Sequence, residues 1–372
     1  MTQLQTLHIN TERTWRGGEK QALLLMEGLL RDGHGVDLVC HPDTPMEARA
    51  RASGVSVHPM PLRGELNPAP TLRIRKLMKR EQYDVCHMHT SHAHSFGVFA
   101  RGWRKRPITV VSRRVDFSIY RRGAFGMNWF KYRFGVDRYV AISRAIRDVL
   151  VRDGVPAANI EVVHSAVPPP PEPKLSPSAL REQLGIPEAA PVLGNVAHLA
   201  SHKGQIHLIA ALPQLLQQIP ELHLVIAGDG EERASLERTA RELGVTERVH
   251  LPGFTDDVPA YLALFDAFCM PSVQEGLGTS LLDALHAQLP TIASEVGGIP
   301  EVIRHEETGL LVPPADPDAL AAGIIRLFLE PQFARKLATR GHEVATQEFS
   351  VEQMVAGNVA VYRETIQKKN KQ

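Results

Sequence analysis

In the segment Glu275-Gly276-Leu277-Gly278-Thr279-Ser280-Leu281-Leu282-Asp283, two carboxylates flank a glycine-bounded turn. The turn follows the apolar run Phe268-Cys269-Met270-Pro271-Ser272 and leads into a helical pattern, so it reads as a strand-to-helix junction. Gly276 and Gly278 let the backbone around Leu277 approach a ligand closely. The first N–H groups of the helix, those of Thr279 and Ser280, have no helical partner, and with the helix dipole they form an anion site. Glu275, ahead of the helix, is placed to accept hydrogen bonds from sugar hydroxyls. Asp283, one turn inside, is placed to hold a ribose diol. A Gly-rich turn alone is common, and an acid near a helix start also suits the dipole. Carboxylates on both sides of one anion site favour a ligand that carries phosphate and hydroxyls together.

Two other segments offer complementary chemistry. Val196-Ala197-His198-Leu199-Ala200-Ser201-His202-Lys203-Gly204 lies just past a strand-like run, where Lys203 would neutralise a diphosphate or stand as a solvated loop lysine. Trp15-Arg16-Gly17-Gly18-Glu19 follows the first apolar run of the chain. It is not Gly-x-Gly-x-x-Gly, so the dinucleotide fingerprint is absent and a nicotinamide-linked dehydrogenase is disfavoured.

Cys86-His87-Met88-His89-Thr90-Ser91-His92-Ala93-His94 has the look of a metal cluster. Alternation on a strand sends His87 and His89 to one face, while His92 and His94 begin the next loop or helix. The sequence therefore leaves open a metal site or pocket histidines, and the second is favoured. Asp256-Asp257 follows Gly253-Phe254-Thr255 and reads as a cap for the next helix in preference to an Asp-x-Asp metal motif. Arg101-Gly102-Trp103-Arg104-Lys105-Arg106, with Arg121-Arg122 and Lys131-Tyr132-Arg133, mixes cations with aromatics. It suits an anionic membrane surface or a solvated rim. Nothing resembles a reading helix or a base-stacking platform, so nucleic acid is not an expected partner.

The elements that must position these residues alternate along all 372 residues, a length that calls for two domains. Strand-like runs fall at 4–9, 36–41, 55–60, 83–89, 107–113 and 138–142, with amphipathic helices at 19–30, 72–81 and 144–152. Pro168-Pro169-Pro170-Pro171-Glu172-Pro173-Lys174-Leu175-Ser176-Pro177 then reads as a stiff linker unable to join a helix. The alternation restarts with strands at 192–199, 222–227, 249–251, 267–270, 291–294 and 310–312. Helices are expected at 205–217, 231–243, 279–287, 316–329 and 351–367, with a frayed tail after them. Near-continuous apolar strands separated by helices predict α/β domains with parallel sheets covered on both faces. The expected architecture is two Rossmann-like, doubly wound domains facing across a cleft, 1–167 and 178–350 joined by 168–177. Ligands belong at the carboxyl ends of the strands.

Residues 1–170 carry 26 Lys+Arg against 15 Asp+Glu, and the remainder 16 against 26. The first half is thus suited to an anionic partner, or to the acidic second half itself. Cys40, Cys86 and Cys269 are far apart in apolar runs, with no disulfide or metal spacing. No apolar run reaches the length of a membrane span and no basic-then-apolar leader opens the chain, so a cytoplasmic location is expected.

Taken together, the segments resemble glycosyltransferase family four, the retaining GT-B enzymes of the glycosyl transferases group 1 type. The resemblance rests on Gly17-Gly18-Glu19, Val140-Ala141-Ile142-Ser143, Lys203-Gly204 and Ala227-Gly228-Asp229-Gly230. Glu275 with Asp283, Gly297-Gly298-Ile299-Pro300-Glu301 and Thr308-Gly309-Leu310-Leu311-Val312 complete it. It implies that a donor site is built from Gly17, Gly18, His198, Lys203, Glu275, Gly276, Leu277, Gly278, Thr279 and Asp283. Lys203 and His198 would bind the diphosphate, Glu275 the sugar and Asp283 the ribose. It also implies that 351–372 pack back on the first domain, and it places His89 at the acceptor pocket. Where many members carry a His-Gly-x-Asp pattern, this chain has Arg113-Arg114-Val115-Asp116. Arg113 cannot serve as a base, but it can bind a carboxylate or phosphate. Arg113, Arg114 and Asp116 are therefore acceptor candidates, and Arg113 joins Glu275 and Lys203 as a catalytic candidate. The family usually has Glu at the Asp283 position, Arg at His198, and an Asn-Gly-Val turn where this chain has His164-Ser165-Ala166-Val167.

The expected reaction moves a sugar, with retention and without a metal, from a nucleoside diphosphate sugar to a hydroxyl of a glycan or lipid-linked acceptor. The nucleotide sugar is a co-substrate and no resident cofactor is expected. Lipopolysaccharide or another surface glycan is the expected product. The rivals are a GT-B sugar-nucleotide epimerase, a disaccharide phosphorylase and a two-lobed solute-binding protein.

Overall fold

The computed structural model describes residues 3–64, 67–114, 118, 132 and 135–371. The chain divides into two compact units, Met1–Ala166 with Val351–Gln372, and Val167–Ser350.

The first unit carries strands β1 (Gln5–Ile9), β2 (Gly35–Cys40), β3 (Ser56–Pro59), β4 (Val85–Met88), β5 (Ile108–Arg113), β6 (Arg138–Ala141) and β7 (Ile160–Val162). They form one sheet in the order β3-β2-β1-β4-β5-β6-β7, with every pair parallel. β4 and β5 are buried at every position, as a sheet covered on both faces requires. Helices Gly17–Arg31, Pro45–Ala52, Pro68–Glu81, Ser91–Arg101, Arg144–Arg152 and the terminal Val351–Asn370 provide cover. The terminal helix enters this unit's core through Val351, Met354, Val355, Val359 and Tyr362, which cluster with Leu25, Met26 and Val110. It runs through Lys368 and Lys369 where a frayed tail was expected, and Lys369 Nζ reaches Asp137 Oδ1 at 2.7 Å.

The second unit repeats the plan with β8 (Val192–Val196), β9 (His223–Ala227), β10 (Val249–Gly253), β11 (Ala267–Met270), β12 (Thr291–Ser294) and β13 (Leu310–Val312). The order is β10-β9-β8-β11-β12-β13, again all parallel. Its own apolar core includes Leu208, Leu212, Leu224, Ile226, Ile292 and Ile324. Residues 168–177 belong to this unit, and Pro177 opens the helix Pro177–Leu184. The expectation that no residue of the proline run joins a helix is corrected there. At the first helical position the missing N–H costs nothing, and Ser176 caps the start.

In each sheet the strand order reverses once beside the first strand, between β1 and β4 and between β8 and β11. At such a switch point the connections leave in opposite directions and open a crevice at the carboxyl ends of the strands. The loops that follow β1, β4 and β5, and those that follow β8, β11 and β12, are therefore the positions where chemistry is expected.

Candidate functional site

In the second unit, close backbone contact joins the loops after β8 and β11. Gly204 has φ +66° and lies so near Pro271 that a Cβ would stand 2.1 Å from its carbonyl oxygen. The N–H groups of Val273 and Gln274 both donate to the His202 carbonyl, at 2.9 and 3.2 Å. The loop after β12 closes on the same segment. Gly297, at φ +54°, would put a Cβ 1.8 Å from the Glu275 carbonyl oxygen, which accepts the Gly298 N–H at 3.1 Å. The glycines at 204 and 297 thus let three strand-end loops lie directly on one another.

That scaffold brings Lys203 and Glu275 together. Lys203 Nζ lies 2.5 Å from Glu275 Oε2, with side chains 19% and 12% exposed. The Ser272 hydroxyl donates to the same carboxylate oxygen at 3.4 Å. Gly276, Leu277 and Gly278 are buried, and the helix Thr279–His286 opens behind them with no side-chain cap. The half-buried Thr279 and Ser280 occupy its first positions, and Asp283 lies one turn on, also half-buried. An ammonium, a carboxylate and an uncapped helix start share one loop system, a set suited to a polar ligand with anionic and hydroxyl groups.

His198 is in the same loop as Lys203 but has a different partner. Its Nε2 is 3.1 Å from Glu231 Oε2, on the loop after β9. That loop folds onto the His198 segment through Leu199 N–H to Asp229 O at 3.0 Å and Glu232 N–H to Leu199 O at 3.1 Å. The Asp256-Asp257 pair does not cap as expected. Asp257 stands at the N-cap of Val258–Leu264, but its carboxylate accepts the N–H groups of Lys174 and Leu175, at 3.0 and 3.1 Å.

In the first unit, Gly17 and Gly18 open the helix Gly17–Arg31 just after β1. Glu19 is buried and its carboxylate accepts the Arg16 N–H at 3.1 Å. Burial raises its pKa. Gly18 leaves room for the Arg114 side chain, whose Cδ would be 3.7 Å from a Cβ there. Arg113, the last residue of β5, and Arg114, which follows it, meet different partners. Arg113 is 8% exposed and donates to the Tyr132 hydroxyl at 3.4 Å. Arg114 donates from Nη2 to His89 Nδ1 at 3.5 Å. Asp116 lies outside the described residues.

His89 belongs to a buried network that the sequence did not reveal. Register pairs His8 on β1 with His87 on β4, and His89 follows directly. His89 Nε2 meets His8 Nδ1 at 2.9 Å, and His8 Nε2 meets the Thr6 hydroxyl at 3.2 Å. The Thr6 hydroxyl donates to the Gly35 carbonyl at 2.9 Å. A guanidinium only donates, so each imidazole in turn accepts at Nδ1 and donates at Nε2. The chain of bonds runs from Arg114 to Gly35 with both histidines neutral. His87 bridges the Tyr362 hydroxyl of the terminal helix (2.6 Å) and Ser112 (2.8 Å). Burial pushes His8 down to about 3 and holds His87 and His89 well below the usual imidazole range, with neighbouring positive groups adding to the effect on these two.

Nitrogens of His8, His87 and His89 lie within 4.8 Å of one another, a spacing open to a metal ion. The rings, however, are stacked, with His8 and His89 10° apart at 5.2 Å and His87 and His89 30° apart at 4.3 Å. Near-parallel rings aim their in-plane lone pairs side by side, and three neutral, hydrogen-bonded imidazoles are satisfied as they stand. His92 is exposed at the start of Ser91–Arg101, and His94 is buried edge-on to Tyr132 at 4.9 Å. The four histidines of the sequence segment do not converge.

The comparisons with known proteins fall on these same two units. The Glycosyltransferase Family 4 model matches residues 15–169, and the Glycosyl transferases group 1 model matches residues 178–344. The chain is 28% identical over 291 residues to the putative glycosyltransferase EpsD of Bacillus subtilis, covering 75% of this chain and 76% of that one. It is 34% identical over 172 residues to the lipopolysaccharide core biosynthesis glycosyltransferase LpsE of Rhizobium meliloti, 46% of this chain and 49% of that one. Among solved structures, Anabaena Alr3699/HepE in complex with UDP and glucose superposes with a TM-score of 0.84 at 22% identity, over 97% of this chain and 99% of that one. Such neighbours are GT-B glycosyltransferases, and the two doubly wound parallel sheets described above are that fold. With its first unit matched by one of these models and its second by the other, the chain belongs to the GT4-type glycosyltransferases.

Proposed function

We propose that the protein transfers a sugar from a nucleoside diphosphate sugar to an acceptor hydroxyl, with retention at the anomeric carbon, in the synthesis of lipopolysaccharide or a related surface glycan. The observation that carries this reading is the loop system of the second unit, where Lys203 and Glu275 meet beside the uncapped helix Thr279–His286. Support for the donor class comes from HepE, whose structures hold UDP, UDP with glucose, or UDP-glucose. The name of LpsE supports the pathway.

On this reading the second unit binds the donor. The helix start and Lys203 take the diphosphate, Glu275 the sugar hydroxyls and Asp283 the ribose; His198 lies at the edge of the phosphate site. The bond between the anomeric carbon and the diphosphate oxygen breaks with its electron pair on the diphosphate. The fixed positive charge of Lys203 and the helix N–H groups stabilises that pair. The acceptor oxygen bonds to the same face of the sugar, and its proton passes to a leaving phosphate oxygen. No metal is required, because Lys203 and the helix supply the positive charge. We place the reaction at the cytoplasmic face of a membrane, a location supported by the cationic first half of the chain.

The test is donor turnover in excess chelator, after UDP, GDP and ADP have been ranked by the thermal stabilisation they give. Turnover is expected to persist. A hundredfold loss restored by manganese or magnesium would overturn the metal-free mechanism.

A further inference from the structure

Two buried arginines of the first unit spend their terminal N–H groups on well-placed acceptors of the protein. Arg101, 8% exposed, pairs with Asp137 at 2.8 Å. Arg138, 5% exposed, is spent on the Ala158 carbonyl at 2.8 Å and Asn159 Oδ1 at 3.3 Å. Arg114 differs. Among the described residues its guanidinium makes one hydrogen bond, to His89, and no carboxylate lies within ion-pair distance. Its Nε is buried without a hydrogen-bond partner, as are those of Arg101, Arg113 and Arg138, so the difference lies in its terminal N–H groups. The side chains near it are the neutral His89 and His87, and Tyr362 on the terminal helix. Glu19 acts on it only through space, since its carboxylate is turned to the Arg16 N–H. Burial pulls Arg114 down to about 10, so it remains a cation at neutral pH. A guanidinium with no carboxylate within ion-pair distance among the described residues is suited to a counter-charge that arrives from outside.

We propose that Arg114 recognises an oxyanion, a carboxylate or phosphate group carried by the acceptor. The inference rests on the glycosyl-transfer reading and narrows the acceptor to an anionic class. The position fits, at the carboxyl ends of β4 and β5 beside the switch point of the first sheet. The hydrogen-bond chain through His89, His8 and Thr6 fixes Nη2 of the guanidinium and leaves Nη1 for a ligand. Because Gly18 lies against Arg114, the donor diphosphate is the competing source of the same chemistry, and the experiment separates the two.

The full chain is saturated with its best nucleoside diphosphate, so that donor phosphate sites are filled. Inorganic phosphate, succinate and neutral methyl α-glucoside are then titrated at constant ionic strength by calorimetry and thermal shift. Phosphate or succinate is expected to bind in the millimolar range, and Arg114→Gln to weaken that binding at least tenfold. Nucleotide affinity should stay within twofold of wild type. Arg114→Met should unfold at the same temperature or higher, because a charge held for a ligand costs stability in its absence; a merely structural arginine would show a loss. Anion binding no stronger than sodium chloride gives, or unchanged in Arg114→Gln, would overturn the proposal. Loss of nucleotide affinity in Arg114→Gln would assign the cation to the donor and overturn it too. Failure of every nucleoside diphosphate to bind the wild type is a different result, and removes the glycosyl-transfer reading itself.

Discussion

Lys203 and Glu275 form an ion pair at 2.5 Å. A diphosphate arriving at the helix start would draw Lys203 away from the carboxylate, and Glu275 would then be free to accept sugar hydroxyls. Glu275→Gln is therefore expected to lower transfer by tens to thousands of fold, the equivalent of ~2–4 kcal/mol for a contact made at the transition state. Nucleoside diphosphate affinity should stay level or rise, since Lys203 loses its internal partner. A parallel fall in nucleotide affinity would show that Glu275 does not serve the sugar. The placement of both residues in strand-end loops was legible in the sequence, because a strand, a glycine turn and a helix start leave few positions between them. Their mutual contact was not legible, nor was the Ser272 hydroxyl beside Glu275, because the tight packing of Gly204 on Pro271 is a property of the folded loops. His198 shows the same limit, since its partner Glu231 comes from the end of another strand.

At the scale of elements, alternation of apolar runs and amphipathic helices was enough to place twelve of the thirteen strands among the described residues. β7, three residues long with only Ile160 buried, escaped because it is too short and too polar to show a pattern. The helix Pro331–Glu348 was also missed, as were the helices 45–52 and 177–184. The histidine network was hidden for a different reason. Reading along one segment grouped His87, His89, His92 and His94, whereas parallel pairing brings in His8 from a strand far away in sequence. That network makes a prediction about pH. His8 has a folded-state pKa of about 3 against 6.5 when unfolded, so between these values the unfolded chain binds the proton and the folded one refuses it. Stability is complete above about pH 6.5 and is lost as pH falls toward 3, by ~1.4 kcal/mol per pH unit for His8 alone. All three tryptophans, Trp15, Trp103 and Trp129, lie in the first unit, so tryptophan fluorescence follows that unit during urea unfolding. The urea midpoint is expected to fall between pH 7.5 and 5, and His8→Gln to show a shallower dependence. Equal slopes for the two proteins would mean that His8 is not the buried neutral group described here.

The whole molecule has its excess of cations in the first half, a fact open to simple counting, but the sequence does not say which of those cations are already taken. Arg106 pairs with Asp84 at 2.7 Å and also reaches Asn370, so it is committed to the protein. Arg104 and Lys105 are exposed, next to a fully exposed Trp103. Phe99 on the preceding helix is 41% exposed. Arg121, Arg122, Lys131 and Arg133 lie outside the described residues. No described helix is long and apolar enough to cross a membrane. An indole followed by two exposed cations is suited to the headgroup region of an anionic bilayer, where the ring enters the interface and each cation contributes ~1 kcal/mol. Wild type is therefore expected to float with vesicles containing phosphatidylglycerol, to be released by salt, and to ignore vesicles of phosphatidylcholine alone. Trp103→Ala should weaken the binding, and Arg104→Glu with Lys105→Glu should weaken it by about tenfold or more, from two contacts of that size. Reversal of Arg106 is the less informative change, because it also breaks the pair with Asp84. Flotation indifferent to salt, to Trp103 and to the two charges would leave these residues as a solvated rim. The cationic half would then have to be explained by its substrate, which is the role argued above for Arg114.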